Sequence, residues 1–153
     1  MARLILIASV AWVALLATAQ VRAATARDGD TWIGGVVYTA ASYICHQRQE
    51  RSFSTAGMQW PVCARCSGLY LAAPIGALIA VGSRRRPSLS KLRLALAAAA
   101  VPTVLTLALE WPHLVAVTNV ARFAAALPLG AAIAYALTYV LTSPAAPASR
   151  SAA

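Results

Sequence analysis

Cys45-His46-Gln47-Arg48, Arg51-Ser52-Phe53 and Pro61-Val62-Cys63-Ala64-Arg65-Cys66-Ser67-Gly68-Leu69-Tyr70 gather all three cysteines, one of the two histidines and three arginines into one short stretch. Thiolate sulfur and neutral imidazole are the ligands zinc prefers, and a closed structural zinc site takes four of them. Cys45, His46, Cys63 and Cys66 make such a set, with two ligands at each end of a loop. The same Cys63-x-x-Cys66 spacing suits a redox dithiol, and Cys45 leaves a third sulfur that can attack a bond held by the other two. Electrons from such a relay could pass to a membrane quinone. A third reading is a disulfide that only staples the loop, in a scaffold or assembly protein. Ser67 after Cys66 excludes a C-x-x-C-H haem attachment.

The rest of the chain must position this loop, and it has the composition of a membrane protein. It is 153 residues long, 60% hydrophobic and 11% charged, with a mean hydropathy of +0.68. Soluble domains carry roughly 25% charged residues. The net charge of +9 does not point to nucleic acid, because the basic residues form no face interleaved with polar or aromatic readers. Five of the thirteen basic residues, Arg84, Arg85, Arg86, Lys91 and Arg93, lie together between two apolar runs. The positive-inside rule assigns such a loop to the cytoplasm.

The pattern predicts an all-α, polytopic helix bundle with three full spans, at 66–82, 94–109 and 120–141. Residues 1–21 form an N-terminal anchor helix or a signal peptide, with Ala17-Thr18-Ala19 before Gln20 as the cleavage pattern. Residues 22–31 read as a polar link, with Asp30 or Thr31 capping the next helix. The run 32–45 would make a helix of about 21 Å, against a hydrocarbon core of about 30 Å. It reads as a short interfacial helix that delivers Cys45 and His46. Residues 47–62 read as a polar connection pinned by cysteines at both ends, within a membrane domain of 22–142. The tail 143–153 reads as disordered. Gly68, Ala72, Gly76 and Ala80 recur every fourth residue, forming the small-residue stripe on which membrane helices approach closely. Pro74, Pro102 and Pro128 fall near the middle of the three spans, as kinks that neighbouring helices can absorb.

With the basic loop inside, Cys63, Cys66, Glu110, His113, Asn119 and Arg122 all fall at the extracytoplasmic level. Glu110 and Arg122 end and begin consecutive spans, so an ion pair between them is geometrically easy and lowers the cost of both charges near lipid. Pro112 argues against a continuous helix through Glu110-Trp111-Pro112-His113, so His113 reads as an interfacial histidine rather than a ligand.

The ordered string from Cys45 to Tyr70, with Glu110 and the Asn119-x-x-Arg122 pattern, resembles the signature of a family of small bacterial integral membrane proteins classified only as a domain of unknown function. The resemblance runs from about Tyr43 to Gly130, with Ala126 where that pattern has a glycine. It implies a polytopic protein with this loop as its distinguishing site, and no particular activity. The expectation is thus a multi-pass protein of the bacterial inner membrane with an extracytoplasmic site. Cys45, His46, Cys63 and Cys66 hold zinc there, supported by Arg48, Arg51, Arg65, Glu110, Asn119 and Arg122. The bilayer and other membrane proteins are the expected partners.

Overall fold

The structure, a computed structural model, describes residues 1–25, 32–83, 87–111 and 115–142. Five α-helices and one β-hairpin make up these parts: α1 (Ala2–Thr25), α2 (Trp32–Ser42), β1 (Ser52–Thr55), β2 (Met58–Cys63), α3 (Ala64–Gly82), α4 (Leu89–Glu110) and α5 (Asn119–Thr142). A single 3₁₀ turn, Gln49–Arg51, leads into β1. α1, α3, α4 and α5, at 19 to 24 residues, are long and apolar enough to cross a membrane, since about 20 residues of helix match the hydrocarbon core. The fold is an all-α membrane helix bundle carrying one small hairpin. The spans begin or end within a few residues of the apolar runs, because polar groups cut hydropathy sooner than they end a helix.

α3 and α5 form the central pair. A methyl group on Gly76 would collide with the backbone of Ala131, and one on Gly130 with the backbone of Leu69. One on Gly68 would strike the Phe123 carbonyl and come within 3.1 Å of the Ala126 Cβ. Lipid tails are as apolar as leucine, so close backbone approach, rather than expulsion of water, is what holds such a seam. Ala126 is fully buried against Gly68. Large apolar side chains such as Leu71, Ile75, Val104 and Leu105 point outward, as lipid-facing residues should. The prolines at 74, 102 and 128 all lie inside continuous helices.

α4 packs on α5, and α1 packs on α3 with α2 beside it. Leu16 and Ala19 of α1 bury against Val37 and Ala41 of α2 and against Val62 of β2. Trp12 meets Tyr70 edge-on at 6.0 Å between ring centroids.

Two expectations need correction. The short helix does not run to Cys45. It ends at Ser42, and the Cys45 amide still bonds the Ala41 carbonyl at 2.9 Å, so the chain leaves through a turn rather than a further helical turn. Residues 47–62 are not a plain polar connection, because 52–63 fold into an antiparallel hairpin. Its two-residue turn, Ala56-Gly57, has φ of +51° and +78°, the doubly positive geometry that matches the twist of a tight hairpin. The pairing runs Thr55 to Met58 and Ser54 to Gln59, then slips before Ser52 meets Cys63. Pro61 lies within that slipped stretch of β2, where its missing N–H cannot serve a regular ladder. The basic residues Arg84, Arg85 and Arg86, the cap at Asp30 or Thr31, His113 and the tail 143–153 lie outside the described residues.

Candidate functional site

The hairpin is held at the end of the bundle where α3 and α5 begin and α4 ends. Phe53 packs edge-on against both Trp60 and Phe123, at 5.4 and 5.9 Å between centroids. The Asn119 amide donates to the Ser52 carbonyl at 2.9 Å, tying the first residue of α5 to the first of β1. Beneath the hairpin, Gln47 sits at φ +47°, a left-handed conformation that costs an L-residue roughly 1–2 kcal/mol. Three hydrogen bonds hold it there. Its side-chain amide donates to the Tyr38 and Pro61 carbonyls at 2.8 and 2.7 Å, and its own carbonyl accepts from the Gln59 amide at 2.5 Å. The Tyr38 hydroxyl donates to the Gln59 carbonyl at 2.5 Å, and the Gln20 amide donates to the Met58 carbonyl. Burial pushes the Tyr38 hydroxyl pKa up, which keeps it a donor.

This clamp of Gln20, Tyr38, Gln47 and Gln59 turns the chain so that Cys45 faces the start of α3. The sulfur atoms of Cys45, Cys63 and Cys66 lie within 4.8 Å of one another. Cys63 caps α3 and Cys66 lies in its first turn, so the three-residue spacing brings both thiols to one side. The Cys63 amide donates to the Cys45 sulfur at 3.2 Å. A hydrogen bond from the Cys66 thiol holds the Cys63 pKa down at about 5, against the opposing effect of burial. His46 is not among these neighbours. It is exposed and sits on the wall of the cavity next to them.

That cavity has a volume of about 380 Å³. The three cysteines line it together with Arg48, Arg51, Arg65, Glu110 and Arg122. Glu110 is gripped from both flanks: Arg65 donates to Oε2 at 2.5 Å and the Arg122 Nε to Oε1 at 2.7 Å, with a second, shorter contact from the Arg122 Nη2. The side chains of Arg65, Glu110 and Arg122 are only 13%, 10% and 11% exposed. Arg65 also donates to Thr106 at 3.2 Å, and Arg122 to Asn119 at 2.5 Å. The triad thus joins α3, α4 and α5. The Glu110–Arg122 pairing was readable from the sequence, whereas the part played by Arg65 was not. Arg65 is two residues into α3, and its reach to α4 depends on a helix crossing that the sequence does not display.

Of the sequence-predicted site residues, the cavity collects Cys45, His46, Arg48, Arg51, Cys63, Arg65, Cys66, Glu110 and Arg122 on one wall or another, and Asn119 stands behind Arg122. The clamp residues Tyr38, Gln20 and Gln59 were missed. Their signal was faint: polar side chains within apolar runs at 20 and 38.

Comparison with known proteins bears on these residues directly. The profile of the family described as "Predicted membrane protein (DUF2085)" matches residues 45–136, which is more than half of the 153-residue chain. The chain belongs to this family. The DUF2085 match opens at Cys45 and takes in every residue of the thiol group and of the Arg–Glu–Arg triad. The chain is also similar to an uncharacterised protein of Methanothermobacter thermautotrophicus, 58% identical over 31 residues, or 20% of this chain and 28% of the relative. An uncharacterised protein of Methanocaldococcus jannaschii is 44% identical over 43 residues, covering 28% of each. The alignments thus span little more than a quarter of the length of these archaeal relatives. No solved structure matches the chain.

Proposed function

We propose that the protein is a metal-binding membrane protein in which Cys45, Cys63 and Cys66 hold one zinc-like ion as thiolates. The observation that carries this reading is the approach of three sulfurs from two separate segments to within 4.8 Å. Tetrahedral zinc with bonds of about 2.3 Å puts its sulfurs about 3.8 Å apart, so side-chain rotation alone can close the site. A resident ion would also need deprotonated sulfur, and Cys63 already favours that form. His46, on the wall of the same cavity, would be the donor to a fourth position. We place the site on the extracytoplasmic side of the cytoplasmic membrane, on the ground that Lys91 and Arg93 begin α4 at the end of that helix away from Glu110.

Metal analysis of the full-length protein in mild detergent tests this. About one ion per chain is expected, lost in Cys66→Ser. In His46→Ala, retained metal identifies an open fourth position, and lost metal identifies His46 as the fourth ligand. No stoichiometric metal, with a Cys63–Cys66 disulfide that reductant opens, would overturn the reading in favour of thiol redox chemistry.

A further inference from the structure

The charges around the cavity are more numerous than the thiol site requires, and all three buried ones sit at the unfavourable ends of their helices. Arg65 is in the first turn of α3 and Arg122 in the first turn of α5, where the helix dipole is positive, while Glu110 is the last residue of α4, where it is negative. Pairing with Glu110 offsets one guanidinium charge and leaves the other. Arg48 and Arg51 line the same cavity. Arg48 has only a loose partner, Glu50, at 3.8 Å with both side chains more than half exposed. The partly buried Arg51 side chain has no hydrogen-bond or ion-pair partner among the described residues. Four guanidinium groups therefore face two carboxylates across this cavity and the hollow of about 400 Å³ that adjoins it. Arg48 and Arg51 remain without a close carboxylate, and two helix amino termini, against the one carboxyl terminus of α4, add to the same potential.

The geometry points to an oxyanion site: the cavity takes a phosphate group, bound by Arg48 and Arg51 and steered by the potential of Arg65 and Arg122. Two guanidinium groups outside the Glu110 triad suit a phosphate better than a single carboxylate, because forked guanidinium groups match phosphate oxygens in pairs. The apolar side chains of Ile44, Leu107 and Trp111 form the rest of the wall, and Trp111 is 87% exposed at the end of a spanning helix, where aromatic side chains meet the headgroup layer. Phosphate groups reach such a pocket either free or on an anionic phospholipid, whose headgroup layer lies where spanning helices end. The site stands on the arginines and does not depend on the thiols holding a metal.

Calorimetric titration of the detergent-solubilised protein with inorganic phosphate, and mass analysis of lipid retained from phosphatidylglycerol or phosphatidylcholine bilayers, test the assignment. Arg48→Gln and Arg51→Gln alter exposed or partly exposed groups outside the Glu110 triad, and Arg51→Lys keeps the charge while losing the fork. If the phosphate is free, its binding weakens about tenfold or more in Arg51→Gln and by less in Arg51→Lys. If it belongs to a lipid, phosphatidylglycerol but not phosphatidylcholine is retained, and the double variant loses it. Binding that persists in Cys66→Ser separates this site from the metal reading. Unchanged phosphate and lipid binding in Arg48→Gln/Arg51→Gln, or binding of acetate as strong as that of phosphate, would overturn the proposal.

Discussion

At the cavity end, α3, α4 and α5 are joined by the Arg65–Glu110–Arg122 triad, whose three charges are nearly withdrawn from solvent. One to three turns further along, α3 and α5 touch backbone to backbone at Gly68, Gly76 and Gly130. The two regions fail differently. A buried charge is tolerable only while its partner stands, so its loss is abrupt and can be repaired by removing the partner as well. A seam of glycines has nothing to unpair; its failure is steric, scales with added volume, and has no second-site charge that mends it.

The largest test of that contrast is Glu110→Gln. It leaves Arg65 and Arg122 facing each other without a carboxylate, at an expected cost of about 3–5 kcal/mol, read as a loss of folded yield and of thermal midpoint in detergent. Adding Arg65→Met and Arg122→Met should recover much of that loss. If the triple variant is worse than Glu110→Gln alone, the three side chains do not act as one group and the comparison breaks.

Much of this architecture is legible in the amino-acid sequence, and the limit of that legibility has a physical basis. Hydropathy marks spans because the bilayer tests each residue alone. The stripe of Gly68, Ala72 and Gly76 reports a close approach because only small side chains permit one. The hairpin at 52–63 carries no such mark, because its turn is Ala-Gly rather than Asn-Gly or Asp-Gly, and Pro61 lies within its second strand. Among the groups that hold it are Phe123 and Asn119, far away in sequence. The grouping of three sulfurs without His46 depends on the turn at Gln47, and no local signal reports a left-handed glutamine.

On the glycine side, Gly76→Ala sharpens the contrast. The added methyl meets the Ala131 backbone, which no rotamer change relieves, and overpacking of this kind costs about 1–3 kcal/mol. Gly82→Ala is its control, because nothing lies within 4 Å of a methyl there. That variant should unfold at or slightly above the parent temperature, since alanine favours helix over glycine by roughly 1 kcal/mol. Equal losses for both would show that the contact with the Ala131 backbone does not set the effect.

The smallest effect expected is at Gln47, where the polar clamp and the backbone make opposing demands. Gln47→Ala removes the hydrogen bonds to Tyr38 and Pro61 and leaves alanine in the left-handed region at φ +47°. Gln47→Gly removes the same bonds but adopts that φ freely. Both variants lose the side-chain contribution, so the difference between them isolates the backbone strain, about 1 kcal/mol in favour of glycine. Thermal unfolding of the two, compared with the parent, reads it. Glycine stays below the parent, because the Tyr38 and Pro61 carbonyls lose their donor, and alanine falls lower still. If alanine proves the more stable, the turn at Gln47 is not held against strain, and the polar end resembles the glycine seam in being set by packing alone.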